Sequence, residues 1–67
     1  MDLLTPTELR IAQLVTDGYQ DKQIAALIGV SYDAARQRLC ILSHKISAHN
    51  RAMVAAWYAR NEEKRGI

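Results

Sequence analysis

Lys22-Gln23-Ile24-Ala25-Ala26-Leu27-Ile28-Gly29-Val30-Ser31 is the stretch that decides the fold. Ile24, Leu27 and Ile28 recur at helical spacing and form an apolar stripe. Ala25 is small enough to let a second helix cross close by. Gly29 supplies backbone that tolerates positive φ just past a helix end. Val30 fills the corner, and the Ser31 hydroxyl suits the N-cap of the next helix. Helix, glycine turn and capped helix in this order predict a helix-turn-helix, whose second helix enters the DNA major groove. An ordinary corner between two helices of a small domain has the same local pattern.

Working outward, the spacing predicts four helices over about 6–17, 21–28, 31–46 and 50–64, an all-α fold in a single domain. Thr5 is a good N-cap, Pro6 suits the first helical position, and Glu8 completes a capping box. Leu9, Ile11, Ala12, Leu14 and Val15 give the first helix its apolar face, and Asp17-Gly18 ends it. Along the third helix Ala35, Leu39, Leu42 and Ile46 fall on one stripe that should face the core. The opposite face carries Asp33, Gln37, Cys40 and His44, with Arg36 on its flank. Ser47-Ala48-His49 connects to Asn50, a suitable cap for the fourth helix. That helix is apolar on much of its circumference, with Met53, Val54, Trp57 and Tyr58. It is therefore expected to pack both on its own core and on a partner. The charged end, Asn61 to Ile67, is expected to fray.

The chain has 67 residues and a net charge of +2. A core this small is marginal alone, so dimerisation would help. The distribution of charge says more than its sum. Residues 1–30 carry Arg10 and Lys22 against Asp2, Glu8, Asp17 and Asp21. Residues 31–51 carry Arg36, Arg38, Lys45 and Arg51 against Asp33 alone, with His44 and His49 beside them. Positive charge concentrates on and just after the third helix, as phosphate binding requires, although a solvated basic face has the same composition. One cysteine cannot make an internal disulfide, so a reducing cytoplasm is expected. No signal peptide and no membrane span is legible, so no membrane partner is expected.

Catalysis finds little footing. No metal-protease, CxxC, nucleophile-elbow or phosphate-loop motif is present, so neither an enzyme nor a cofactor is expected. Cys40 and His44 share a helix face at i, i+4, but without further ligands they read as an ordinary surface pair rather than a metal or redox site. Arg36 suits a bidentate contact to guanine, and Gln37 one to adenine. Asp33 has two readings, an acceptor for a cytosine amino group or a first-turn acid favoured by the helix dipole. Lys22, Arg38, Lys45 and Arg51 suit phosphates, which set register without reading sequence. Arg38 sits beside the buried stripe and is expected to snorkel outward. His44 projects from the same face toward phosphate, and Ser31 starts the helix that carries these residues. Trp57 and Tyr58 suit packing or a dimer contact more than base stacking. Tyr19 and Tyr32 stand near the starts of the second and third helices.

Leu4-Thr5-Pro6-Thr7-Glu8, Gly18, Lys22-Gln23-Ile24-Ala25, Ser31, Arg36, Lys45-Ile46 and Asn50-Arg51 together resemble the LuxR/GerE-type helix-turn-helix pattern. The spacings agree without insertion from Leu4 to about Ala59. The resemblance implies a four-helix DNA-binding domain that dimerises through its last helix, in a stand-alone form without a sensor domain. By position, Lys22 would contact phosphate, Arg36 would contact bases or phosphate, and Gln37 and Cys40 would meet base edges. Asn50 and Arg51 would close the turn into helix four and touch the backbone. The chain departs from the pattern at Thr7, where the family has a basic residue, and at Gln20, where it has Ser or Thr. Asp21 is expected to take over that cap. It departs again at Ala34-Ala35, in place of Thr-Val, and at Arg38, in place of His. A sequence-specific regulator of transcription, bound as a homodimer to double-stranded DNA, is the function these residues point to. The alternative is an interaction module that pairs through helix four with a larger regulator or with RNA polymerase. Met1 and the capped first helix lead us to expect a complete small protein.

Overall fold

The computed structural model describes residues 4–65, with side chains through Asn61. Four helices follow one another: α1 (Pro6–Thr16), α2 (Asp21–Ile28), α3 (Tyr32–Lys45) and α4 (Arg51–Arg65). No strand is present among the described residues. The end expected to fray from Asn61 is instead helical through Arg65, where α4 continues, and Gly66 and Ile67 lie outside the described residues.

Each helix starts on a side chain that satisfies an orphan backbone donor. The Glu8 N–H donates to Thr5 Oγ1 at 3.2 Å, and the Thr5 N–H donates to Glu8 Oε1 at 2.9 Å. Ser31 Oγ accepts from the Ala34 N–H at 3.1 Å, and Asn50 Oδ1 from the Met53 N–H at 2.9 Å. At α2 the cap stays on Gln20 rather than moving to Asp21. Gln20 has extended backbone, and its own N–H donates to Gln23 Oε1 at 2.9 Å.

The helix ends follow one device. Gly18 (φ +94°) and Gly29 (φ +76°) turn the chain left-handed after α1 and α2. The N–H of the following residue reaches back in each case, Tyr19 to the Leu14 carbonyl and Val30 to the Ala25 carbonyl. After α3 the same motif forms without glycine. Ser47 adopts φ +57°, its N–H donates to the His44 carbonyl, and the Ala48 N–H donates to the Ser43 carbonyl at 2.9 Å.

One branched side chain from each helix meets at the centre: Ile11, Ile24, Leu42 and Val54 are fully enclosed. Leu4, Ala12, Leu14, Val15 and Ala48 complete the core, and Leu9, Ile28, Leu39, Ile46, Trp57 and Tyr58 pack around it half-buried. α1 packs most extensively on α4, and α2 on α3. Buried Ala25 and Ala35 keep the facing sides of α2 and α3 small. Two expectations change here. Leu27 lies about half exposed, because the buried stripe of α2 comprises Ile24, Ala25 and Ile28 and Leu27 projects roughly 110° from its centre. Val54 is 1% exposed and belongs to the core, so it does not belong to a dimer face.

Glu8 is the buried charged residue of the core region. Its Oε1 accepts from Lys45 Nζ at 2.9 Å as well as from the Thr5 N–H, joining the first turn of α1 to the last residue of α3. The Lys45 hydrogen bond outweighs the cost of burial and holds the carboxyl below its ordinary pKa.

Two outcomes follow for stability. Ser47→Gly relieves left-handed strain and raises stability by about 0.5–1 kcal/mol, net of the added chain entropy, read as a higher denaturation midpoint at unchanged slope. Glu8 has a folded-state pKa below its unfolded value, so its contribution is present above about pH 4.3 and is lost as pH falls through the folded pKa. Thermal melts of wild type and Glu8→Gln across pH 2–7 are expected to differ near neutrality and to converge at the acid end.

Candidate nucleic-acid interface

α3 is held on one side and bare on the other. Ala35 and Leu42 are buried and Leu39 and Ile46 half-buried, whereas Asp33, Arg36, Gln37, Arg38, Cys40, Ile41 and His44 are exposed. At about 100° per residue, Asp33, Gln37 and His44 run along the centre of the bare face. Arg36 lies on one flank and Arg38 on the other. The helix therefore presents a hydrogen-bonding centre between two cationic edges, an arrangement suited to a groove walled by two phosphate strands.

Ile41 is the residue missed in the sequence reading. It is 49% exposed and stands beside Gln37 and His44 rather than on the buried stripe. An apolar side chain in that place suits a thymine methyl group. The signal was its position on the helical wheel, about 130° from the centre of the buried stripe.

Arg36 is oriented within its own helix. Its guanidinium carbon lies 5.7 Å from the ring centroid of Tyr32, one turn earlier, in a cation–π arrangement. Tyr32 is itself exposed and lies outside the core cluster. Lys22 is exposed at the start of α2. The Ser31 hydroxyl is engaged in capping α3.

Two of the proposed phosphate ligands are paired with acids of the chain itself. Lys45 pairs with Glu8. Arg51 Nη1 donates to Asp21 Oδ1 at 2.5 Å, and Arg51 Nη2 donates to the Tyr19 carbonyl, fastening the start of α4 to the start of α2. These are the ion pairs among the described residues. Lys22, Arg36 and Arg38 remain unpaired around the bare face of α3. The sequence gives no sign of this division, because the partners lie 37 and 30 residues away.

A groove of about 540 Å³ runs between the end of α3 and the start of α4. Cys40 and His44 line its α3 side, and His49 and Asn50 the other. Among the described residues, no three His, Cys, Asp or Glu side chains converge as metal ligands, and no helix is long and apolar enough to cross a membrane. On α4, Met53 is exposed together with Ala52, Ala56, Ala59 and Arg60, while Trp57 and Tyr58 lean half-buried onto the core. Of the four residues expected at a dimer contact, Met53 alone is exposed.

The Tyr32–Arg36 contact has a spectroscopic signature. Ring-current shifts on the Arg36 δ-methylene protons are expected in wild type and in Tyr32→Phe and are expected to vanish in Tyr32→Leu. Unchanged shifts in Tyr32→Leu would show that the two side chains part in solution.

Compared with known proteins, the chain matches no family model, no curated protein and no solved structure.

Proposed function

We propose that this protein is a sequence-specific, double-stranded DNA-binding regulator of transcription with a LuxR/GerE-type helix-turn-helix. The observation that carries the reading is the two-sidedness of α3. Its apolar stripe is built into the core, while its other face offers Arg36, Gln37 and Arg38 to solvent. A helix that served only to close a small domain has no need of that set. Arg36, steadied by Tyr32, reads guanine, and Gln37 reads adenine. Ile41 meets a thymine methyl. Lys22 and Arg38 hold the phosphates on either side and fix the register of the helix in the groove. Cys40 and His44 follow the groove toward the start of α4. Asp33 sits in the first turn of α3, where it favours the helix dipole.

The protein acts in the cytoplasm as a homodimer through the outer face of α4. Met53 is central to the contact and the exposed edges of Trp57 and Tyr58 border it. Two recognition helices then read half-sites about one helical turn apart. The engagement of Lys45 and Arg51 within the fold favours a second reading, in which α4 docks on a larger regulator or on RNA polymerase and few charges are left for DNA. The same experiment separates the two.

Selection from random duplexes, followed by binding across a salt series, is expected to return a palindrome and a steep loss of affinity with salt. Arg36→Ala should cost roughly 1–3 kcal/mol on the selected site and relax the preference at one base pair per half-site. Lys22→Ala should weaken all sequences alike and reduce the salt slope by about one. Met53→Asp should yield monomers in sedimentation. A wild-type chain that binds no duplex at low salt would favour the interaction module.

A further inference from the structure

The two ion pairs differ in kind. Lys45 meets a carboxylate whose side chain is 9% exposed and which also accepts from the Thr5 backbone. Arg51 meets Asp21 in the open, with side chains 44% and 26% exposed. Its fork is divided, one arm to Asp21 and the other to the Tyr19 carbonyl, so it grips the carboxylate with one bond only. An exposed single-bond pair of this sort contributes little to stability.

The setting of that pair is cationic. Arg51 and Asp21 both border a cleft of about 410 Å³ that is shared with Lys22 and Tyr32. They also border an adjoining hollow of about 250 Å³ that is shared with Arg36 and Cys40. Each hollow thus has two basic side chains on its border, Lys22 with Arg51 in the first and Arg36 with Arg51 in the second, and Asp21 is the acid common to both.

We propose that this cleft is a phosphate-binding site, held in the free protein by its own Asp21 in place of a phosphate. The inference rests on the DNA reading above for the source of the phosphate, a backbone phosphodiester. A guanidinium matches two phosphate oxygens in one plane and forms a bidentate pair that the Asp21 geometry denies it. An arriving phosphate therefore displaces Asp21 from Arg51 and gains Lys22 and Arg36 as neighbours. Asp21 acts as an internal competitor. It lowers affinity for every duplex without altering which sequence is preferred, and it keeps Arg51 ordered until a phosphate takes over.

The test compares wild type, Asp21→Asn and Asp17→Asn. Asp17 lies in the connection before α2 and borders neither hollow, so its substitution controls for net charge. Each protein is titrated with duplex DNA across salt and with inorganic phosphate, following the Gln20–Lys22 amides and the Arg51 Nε resonance by NMR. Thermal melts confirm that each variant is folded.

Asp21→Asn is expected to bind both anions roughly three- to tenfold more tightly than Asp17→Asn at ~0.1 M salt. Its salt slope on the duplex should match that of Asp17→Asn, because the same phosphate contact forms in both. Adding Arg51→Gln to Asp21→Asn should remove the gain. Duplex bound equally by the two Asn variants would overturn the phosphate site while the DNA reading stands. Inorganic phosphate bound more tightly by Asp21→Asn, with no duplex bound by any variant, would uphold the site and overturn the DNA reading. A gain that persists without Arg51 would also overturn the proposal.

Discussion

A single oxygen of Glu8 holds the frame on which the rest depends. Glu8 Oε1 accepts from the Thr5 backbone and from Lys45, so it closes the start of α1 and pins the end of α3 to it. Two donors satisfy a carboxylate that burial alone would disfavour. Lys45 is the last residue of α3, so the pin ties that end of the helix to the start of α1. The buried stripe of α3 seats against Ile11, Ile24 and Val54, and the opposite face is aimed at solvent.

Much of this frame was legible in the sequence because it is local. Thr5 with Glu8, Ser31, Asn50, Gly18 and Gly29 act within a few residues of themselves, and helix ends answer to such short-range chemistry. The alternation of buried and bare faces on α3 was legible for the same reason. What escaped is long-range. The pairing of Arg51 with Asp21 and of Lys45 with Glu8 depends on where helices distant in sequence come to rest. Leu27 and Val54 exchanged their expected environments because an apolar residue reports a preference for burial, and the packing angle of neighbouring helices decides which of several candidates is covered. On α4, where nearly every position is apolar or small, periodicity carries little information about the inward face.

The candidate site follows from the same division. Cations that hold the fold together are tied to acids: Lys45 to the buried carboxylate of Glu8, Arg51 to the more exposed one of Asp21. The cations left unpaired around α3, Lys22, Arg36 and Arg38, surround its bare face. Ile41 and Gln37 give that face an apolar and an amide contact side by side, and Tyr32 steadies Arg36 before any partner arrives. Pre-ordering of that kind reduces the side-chain entropy lost on binding.

The proposed function requires the bare face of α3 to meet DNA, and backbone NMR mapping of the full chain titrated with duplex at low salt is the measurement to make. Shifts are expected on Asp33, Arg36, Gln37, Ile41 and His44 and at the start of α2, with the interior face of α1 unaffected. Shifts confined to α4, or no shift at saturating duplex, would contradict it.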